Sequence, residues 1–166
     1  MSHDYQILEI TDRQLKKKYT EEILRRLPDW FGIEASLMDY VNTVEKYPFF
    51  GAFKDEAYER KICVGFFSGM IHHERTGEIY VCGLHPEHHR RGLGKKLYEV
   101  LEDYFMKQCC EYVMVKTLSP LHSDAHYALT RKFYQKMGFK DFYTDDAIWG
   151  HENPCLIMIK NIEKLV

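Results

Sequence analysis

Glu78-Ile-Tyr-Val-Cys-Gly-Leu-His-Pro-Glu-His-His-Arg-Arg-Gly-Leu-Gly-Lys-Lys-Leu97 reads as three things in succession: a strand that stops at Pro86, a basic loop with two glycines, and the opening of a long amphipathic helix. That order makes an anion cradle. Gly92 and Gly94 keep side chains away, so that successive backbone N–H groups can point into one space. A helix starting there adds roughly half a positive charge at its N-terminus. Arg90, Arg91, Lys95 and Lys96 bring full charges to the same place, and Leu93, between the two glycines, is counted with them among the binding residues through its backbone N–H. Such a device suits a pyrophosphate. Two familiar phosphate loops are excluded by spacing. Gly94-Lys95 is followed by Lys96 where a P-loop needs Ser or Thr, and Leu97 stands where a dinucleotide fingerprint has its third glycine.

The surrounding residues narrow the reading. His89-Arg-Arg-Gly-Leu-Gly94 resembles the [QR]-x-x-G-x-[GA] signature of the GNAT acetyltransferases, and Glu78-Ile-Tyr-Val-Cys-Gly-Leu84 is similar to the strand that precedes it in the histone-acetylating branch. Downstream, Phe133-Tyr-Gln-Lys-Met-Gly-Phe139 resembles the family's L-Y-x-x-x-G-F segment. The resemblance implies an α/β fold: a central mixed, twisted sheet of about seven strands, helices on both faces, and fourth and fifth strands that splay apart. It also implies acetyl-CoA as cosubstrate, with no metal, and direct transfer of the acetyl group to an amine.

Composition bounds the rest. A chain of 166 residues with 45% hydrophobic and 29% charged residues is expected to form one domain, 1–166. The net charge of −2 argues against a nucleic-acid partner held by bulk attraction. Five cysteines without a C-x-x-C pair fit a reducing compartment, and Met1 to Gln6 is too polar to open a signal peptide. No apolar run approaches the roughly 18 residues of a membrane span. The expectation is a soluble, cytoplasmic protein, monomer or homodimer, with no membrane partner.

Periodicity supplies the elements. Tyr5 to Ile10 alternates as a first strand, and Thr11-Asp12 can cap a helix from about Arg13 to Leu27. Ile33, Leu37, Tyr40, Val41 and Val44 form the apolar stripe of a second helix reaching about Lys46. Strands are predicted over Phe49 to Lys54 and Arg60 to Glu74, with Thr76-Gly77 as a tight turn into Glu78 to His85. After the loop, Leu93, Leu97, Val100, Leu101, Tyr104 and Phe105 mark the clearest helix. Tyr112 to Thr117 is a buried strand, and Asp124 to Met137 a helix that Gly138 ends. Phe139 to Tyr143 and Cys155 to Lys160 complete the list as strands. The order β-α-α-β-β-β-α-β-α-β-β gives a mixed sheet.

Family likeness then assigns roles. Pantetheine is expected on the main chain of Cys82 and Leu84, because an unpaired strand edge offers ladder hydrogen bonds to its two amides. His89 stands where the family has Gln or Arg, which leaves its backbone N–H for the diphosphate. His85, His88 and His89 lack a partner ligand on a rigid element, which argues against a metal site. Tyr134 matches the family tyrosine that protonates the departing thiolate, a proton that a phenol still carries at neutral pH. Glu78 is the candidate general base, directly or through a water, and the alternative is a water chain or a histidine such as His72 or His73 on the neighbouring strand. Tyr127 replaces an Asn seven residues before that tyrosine, so Arg131 becomes the alternative cofactor contact. Trp30, Phe31 and Trp149 are the candidate acceptor-binding residues, with Asp145 and Asp146 available to attract a cation. The acceptor is expected to be a small-molecule amine. Protein lysine or N-terminal acetylation is the alternative, and a noncatalytic acyl-CoA-binding module is the rival from another class.

Overall fold

The computed structural model describes residues 5–163 apart from Ala57 and Glu59. Its elements are β1 (Tyr5–Glu9), α1 (Arg13–Leu24), α2 (Glu34–Thr43), β2 (Phe49–Glu56), β3 (Arg60–His72), β4 (Thr76–Leu84), α3 (Leu93–Lys107), β5 (Tyr112–Leu118), α4 (Ala125–Lys136), β6 (Lys140–Asp145) and β7 (Cys155–Asn161). The strands form a seven-stranded mixed sheet in the order β1-β2-β3-β4-β5-β7-β6. Antiparallel registers join β1 to β2, β2 to β3, β5 to β7 and β6 to β7, while β4 and β5 run parallel.

The chain packs as two compact units. One contains the residues up to 70 together with 80–104, and the other contains 71–79 together with the chain from 105 onward. In the first unit, Ile23, Leu24 and Leu27 from α1 and its C-terminal extension meet Leu37, Val41 and Val44 and the sheet residues Phe49, Phe66 and Val81. The Phe49 and Phe66 rings stack with centroids 4.7 Å apart. Lys16 runs into this unit with its ammonium 2.5 Å from the Tyr47 carbonyl oxygen, and burial pulls its pKa down from the usual lysine value. In the second unit, Val113 and Val115 of β5 and Leu156 and Met158 of β7 are buried across an antiparallel register that pairs Val115 with Met158.

Three local readings are revised. α1 ends at Leu24 rather than Leu27, because the chain tightens into i→i+3 bonds, Arg26 N–H to Ile23 and Leu27 N–H to Leu24, ahead of Pro28. Ile33 is not on the buried stripe of α2: it is the N-cap residue and 66% exposed. The hairpin turn falls earlier than Thr76-Gly77. His73 and Glu74 take φ of 50° and 63°, and Arg75 N–H bonds the His72 carbonyl, so the turn is His72–Arg75. Composition hid this turn, since neither central residue is the Gly, Asn or Asp that such a conformation favours. Thr76 and Gly77 instead open β4. Gly77 is required by close approach, because a Cβ there would lie 2.6 Å from the Phe105 ring.

α4 behaves as read. Asp124 caps it by accepting from the N–H groups of His126 and Tyr127, and Gly138 follows it at φ +96°. Among the described residues, no helix is long and apolar enough to cross a membrane.

Candidate active site

The anion loop lies in the first unit. β4 runs out at Leu84, a short 3-10 turn covers Pro86–His88, and α3 begins at Leu93. Arg90 has φ +59° and Gly92 φ +75°, so the loop twice enters the left-handed region before the helix. The Gly92 carbonyl accepts from Lys96 N–H, which leaves the N–H groups of Leu93, Gly94 and Lys95 without an intrahelical acceptor. Space around Gly92 is open: a Cβ added there would meet no heavy atom within 4 Å. Arg90, Arg91, Lys95 and Lys96 are exposed around this end of the helix. The loop therefore fits a diphosphate in both shape and charge.

His89 has a definite task in this loop. Its Nε2 donates to the Leu84 carbonyl at 2.7 Å, which closes the corner between β4 and the loop. That bond occupies one of the main-chain acceptors expected to serve pantetheine. His85, Glu87 and His88 offer potential ligand atoms within 4.8 Å of one another. His85 Nε2, however, lies 3.0 Å from the Arg26 guanidinium, and His88 Nδ1 lies 2.8 Å from the Tyr5 hydroxyl. A fixed guanidinium beside the cluster opposes a further cation. Burial lowers the pKa of both His85 and His88.

The second unit holds the carboxylate and the phenol. Glu78 sits on the short parallel register that runs from Thr76↔Tyr112 to Ile79↔Val115. Its residue is only 4% exposed. One carboxylate oxygen lies 3.2 Å from Lys116 Nζ on β5, and the other 2.5 Å from His72 Nε2 at the end of β3. The buried thiol of Cys155 on β7 feels the same charges, with Lys116 opposing Asp145 and Glu78, and burial is the main cause that pushes it up to about 11. Tyr134 is buried on the last turn of α4, its ring edge-on to Phe133 and to Phe139. Arg131 donates to the Leu118 carbonyl at 2.7 Å, tying α4 to the end of β5. Tyr127 is half-buried on the first turn of α4, and burial raises its phenol.

Also in the second unit is an open cavity of about 490 Å³ lined by Leu121, His122, Tyr143, Thr144, Asp145, Asp146, His151, Glu152 and Pro154. Asp146 is 2.5 Å from His151 Nδ1, and His122 Nδ1 is buried without a hydrogen-bond partner. The aromatic acceptor candidates do not line it. Trp30 and Phe31 pack half-buried on the core of the first unit, Phe31 edge-on to Tyr40, whereas Trp149 is 38% exposed in the second. Sequence reading found Asp145 and Asp146 but missed Lys116, His122, His151 and Glu152. Lys116 comes to Glu78 through the register of β4 with β5, His122 lies in the loop between β5 and α4, and His151 and Glu152 lie in the β6–β7 loop, so no local motif marks them.

Comparison with known proteins fits this geometry. The acetyltransferase (GNAT) family profile matches residues 5–139, and the chain belongs to that family. A curated relative, the mycothiol acetyltransferase of Renibacterium salmoninarum, is 31% identical over 118 residues, which are 68% of this chain and 33% of that protein. The chain thus spans about a third of that relative's length. Among solved structures, a GNAT-family protein from Desulfovibrio desulfuricans superposes with a TM-score of 0.77 at 15% identity, covering 96% of this chain and 100% of that one. An aminoglycoside 6'-N-acetyltransferase complexed with coenzyme A gives 0.72 at 16% identity, covering 97% and 99%. At these identities the structural likeness speaks for the fold alone.

Proposed function

We propose that the protein is an acetyl-CoA-dependent N-acetyltransferase that moves the acetyl group directly from coenzyme A to a primary amine of a small cationic molecule. The observation that carries the acceptor class is the 490 Å³ cavity, with Asp145, Asp146 and Glu152 in its lining. Carboxylates around a concave space draw in an ammonium and disfavour anions. A cavity of that size matches a compact molecule.

On the donor side, the N–H groups opening α3 and the Arg90, Arg91, Lys95 and Lys96 charges would hold the diphosphate, and the main chain of Cys82 would meet pantetheine. The thioester supplies the activated acetyl group. Tyr134 provides a proton for the leaving sulfur, and the Glu78 cluster removes one from the amine. Cys82 is not needed as an acyl carrier, because direct transfer requires no covalent enzyme intermediate.

The test is thiol release from acetyl-CoA with kanamycin, spermidine, a lysine-containing peptide and a peptide with a free N-terminus. Turnover confined to the small polyamines is expected. Acetylation of the peptides alone would replace the acceptor class. Tight coenzyme A binding without thiol release on any amine would favour a noncatalytic module.

A further inference from the structure

The two groups that touch across the β3–β4 hairpin differ in access, and the difference assigns the proton transfer. Glu78 is 4% exposed, and both carboxylate oxygens are engaged, one by Lys116 and one by His72. The His72 side chain is 40% exposed. The imidazole is the more open of the two groups to an amine or its water. With Nε2 carrying the hydrogen that points at Glu78, at 2.5 Å, the lone pair of His72 is at Nδ1. A buried carboxylate that fixes the tautomer of an exposed imidazole is the arrangement of an oriented general base.

We propose that His72 is the catalytic base and that Glu78 is a positioning residue acting through it. This rests on the transferase reading above. In the step, a neutral amine nitrogen attacks the thioester carbon and the C–N bond forms as the C=O electron pair moves onto oxygen. Nδ1 of His72 takes the proton that the nitrogen sheds. When the carbonyl re-forms, the C–S bond breaks, its electron pair leaves on the sulfur of coenzyme A, and that sulfur receives the Tyr134 proton.

The charged and titratable neighbours of His72 come from several elements. Glu78 is on β4 and Lys116 on β5, and Asp145 on β6 and Cys155 on β7 share their field. His73, Glu74 and Arg75 form the adjoining turn, where Arg75 pairs with Glu111.

The test compares His72→Ala and Glu78→Gln with wild type, using acetyl-CoA and spermidine or kanamycin. For His72→Ala, kcat/KM should fall about 100-fold or more, with coenzyme A affinity by calorimetry unchanged. The acidic limb of the pH–rate profile should vanish, and added imidazole should restore the rate. Glu78→Gln should lower the rate yet keep an acidic limb, since His72 remains. An acidic limb that persists in His72→Ala and disappears in Glu78→Gln makes Glu78 the base and overturns the proposal. A second measurement stands apart from turnover: nitrogen-15 NMR of the His72 ring in wild type should show the Nε2–H form, and Glu78→Gln should lose that preference. An Nδ1–H ring in wild type overturns the proposal even if the enzyme is active. An Nε2–H ring in a protein that acetylates no amine supports the dyad and counts against the transferase reading alone.

Discussion

For Tyr134, the proposed proton donor, the hydroxyl can be tested apart from the packing of the ring. It is 5% exposed and held between Phe133 and Phe139, so removing its hydroxyl leaves the aromatic contacts in place. Tyr134→Phe is expected to cut turnover by about 100-fold or more where chemistry limits, with acetyl-CoA affinity nearly unchanged. Pre-steady-state thiol release checks this, and an unaltered rate would leave Tyr134 as core packing only. The cysteines are sorted by the same reasoning. Cys109 is exposed, whereas burial pushes the Cys63 thiol up to about 12 and the Cys155 thiol up to about 11. The thiolate is the reactive form. Iodoacetamide at pH 8 should therefore label Cys109 first, with Cys63 and Cys155 protected until the protein unfolds. Peptide mapping against time checks the order.

Among the elements, the opening of α3 and the opening of α4 respond to different substitutions. Gly92 sits at φ +75° in open space, so a Val there meets backbone strain but no clash. Gly92→Val should keep the fold and weaken coenzyme A binding by about tenfold or more, because the loop can no longer direct its N–H groups at the diphosphate. Calorimetry showing unchanged affinity in a folded variant would remove the diphosphate assignment. At α4, Asp124→Ala removes the acceptor for two N–H groups and should cost about 1 kcal/mol in denaturant unfolding. Hydrogen bonds from Tyr127 and then His126 hold the Asp124 carboxyl below its ordinary value. Its contribution is therefore complete above the unfolded carboxylate range near pH 4, and is lost as pH falls through the lowered folded value. The stability difference between wild type and Asp124→Ala should shrink along the same pH course.

At the scale of the whole molecule, the order of elements could be read from the sequence because each announces itself locally. α3 does so by its apolar stripe, α4 by Asp124 and Gly138, and β4 with its loop by glycines and basic charge. The non-Gly turn at His73-Glu74 was not legible, since its conformation is imposed by the hairpin rather than by its residues. Nor was Lys116, one of the two partners of Glu78. Lys116 is 38 residues away in sequence, and only the parallel register of β4 with β5 brings it within 3.2 Å. A carboxylate read alone looked like a base. With its two partners in place, the role proposed for it is the anchor of one.

The assignment of residues 71–79 to one compact unit and of the flanking chain to the other has a topological outcome. No single cut in the backbone separates the two units, since the one carrying Glu78 is made from two pieces of chain with 80–104 threaded between them. The unit carrying Glu78 is thus unfinished until 71–79 has found the chain from residue 105 onward, whereas the other unit is complete in sequence by residue 104. A fragment beginning at residue 105 should lack a melting transition of its own, because it has lost 71–79, and calorimetry of that fragment checks this. For a cell, the consequence is that a ribosome stalled before β5 releases a chain whose Glu78 has neither its partner strand nor Lys116, so truncation there dismantles the candidate base cluster even where the other unit is complete.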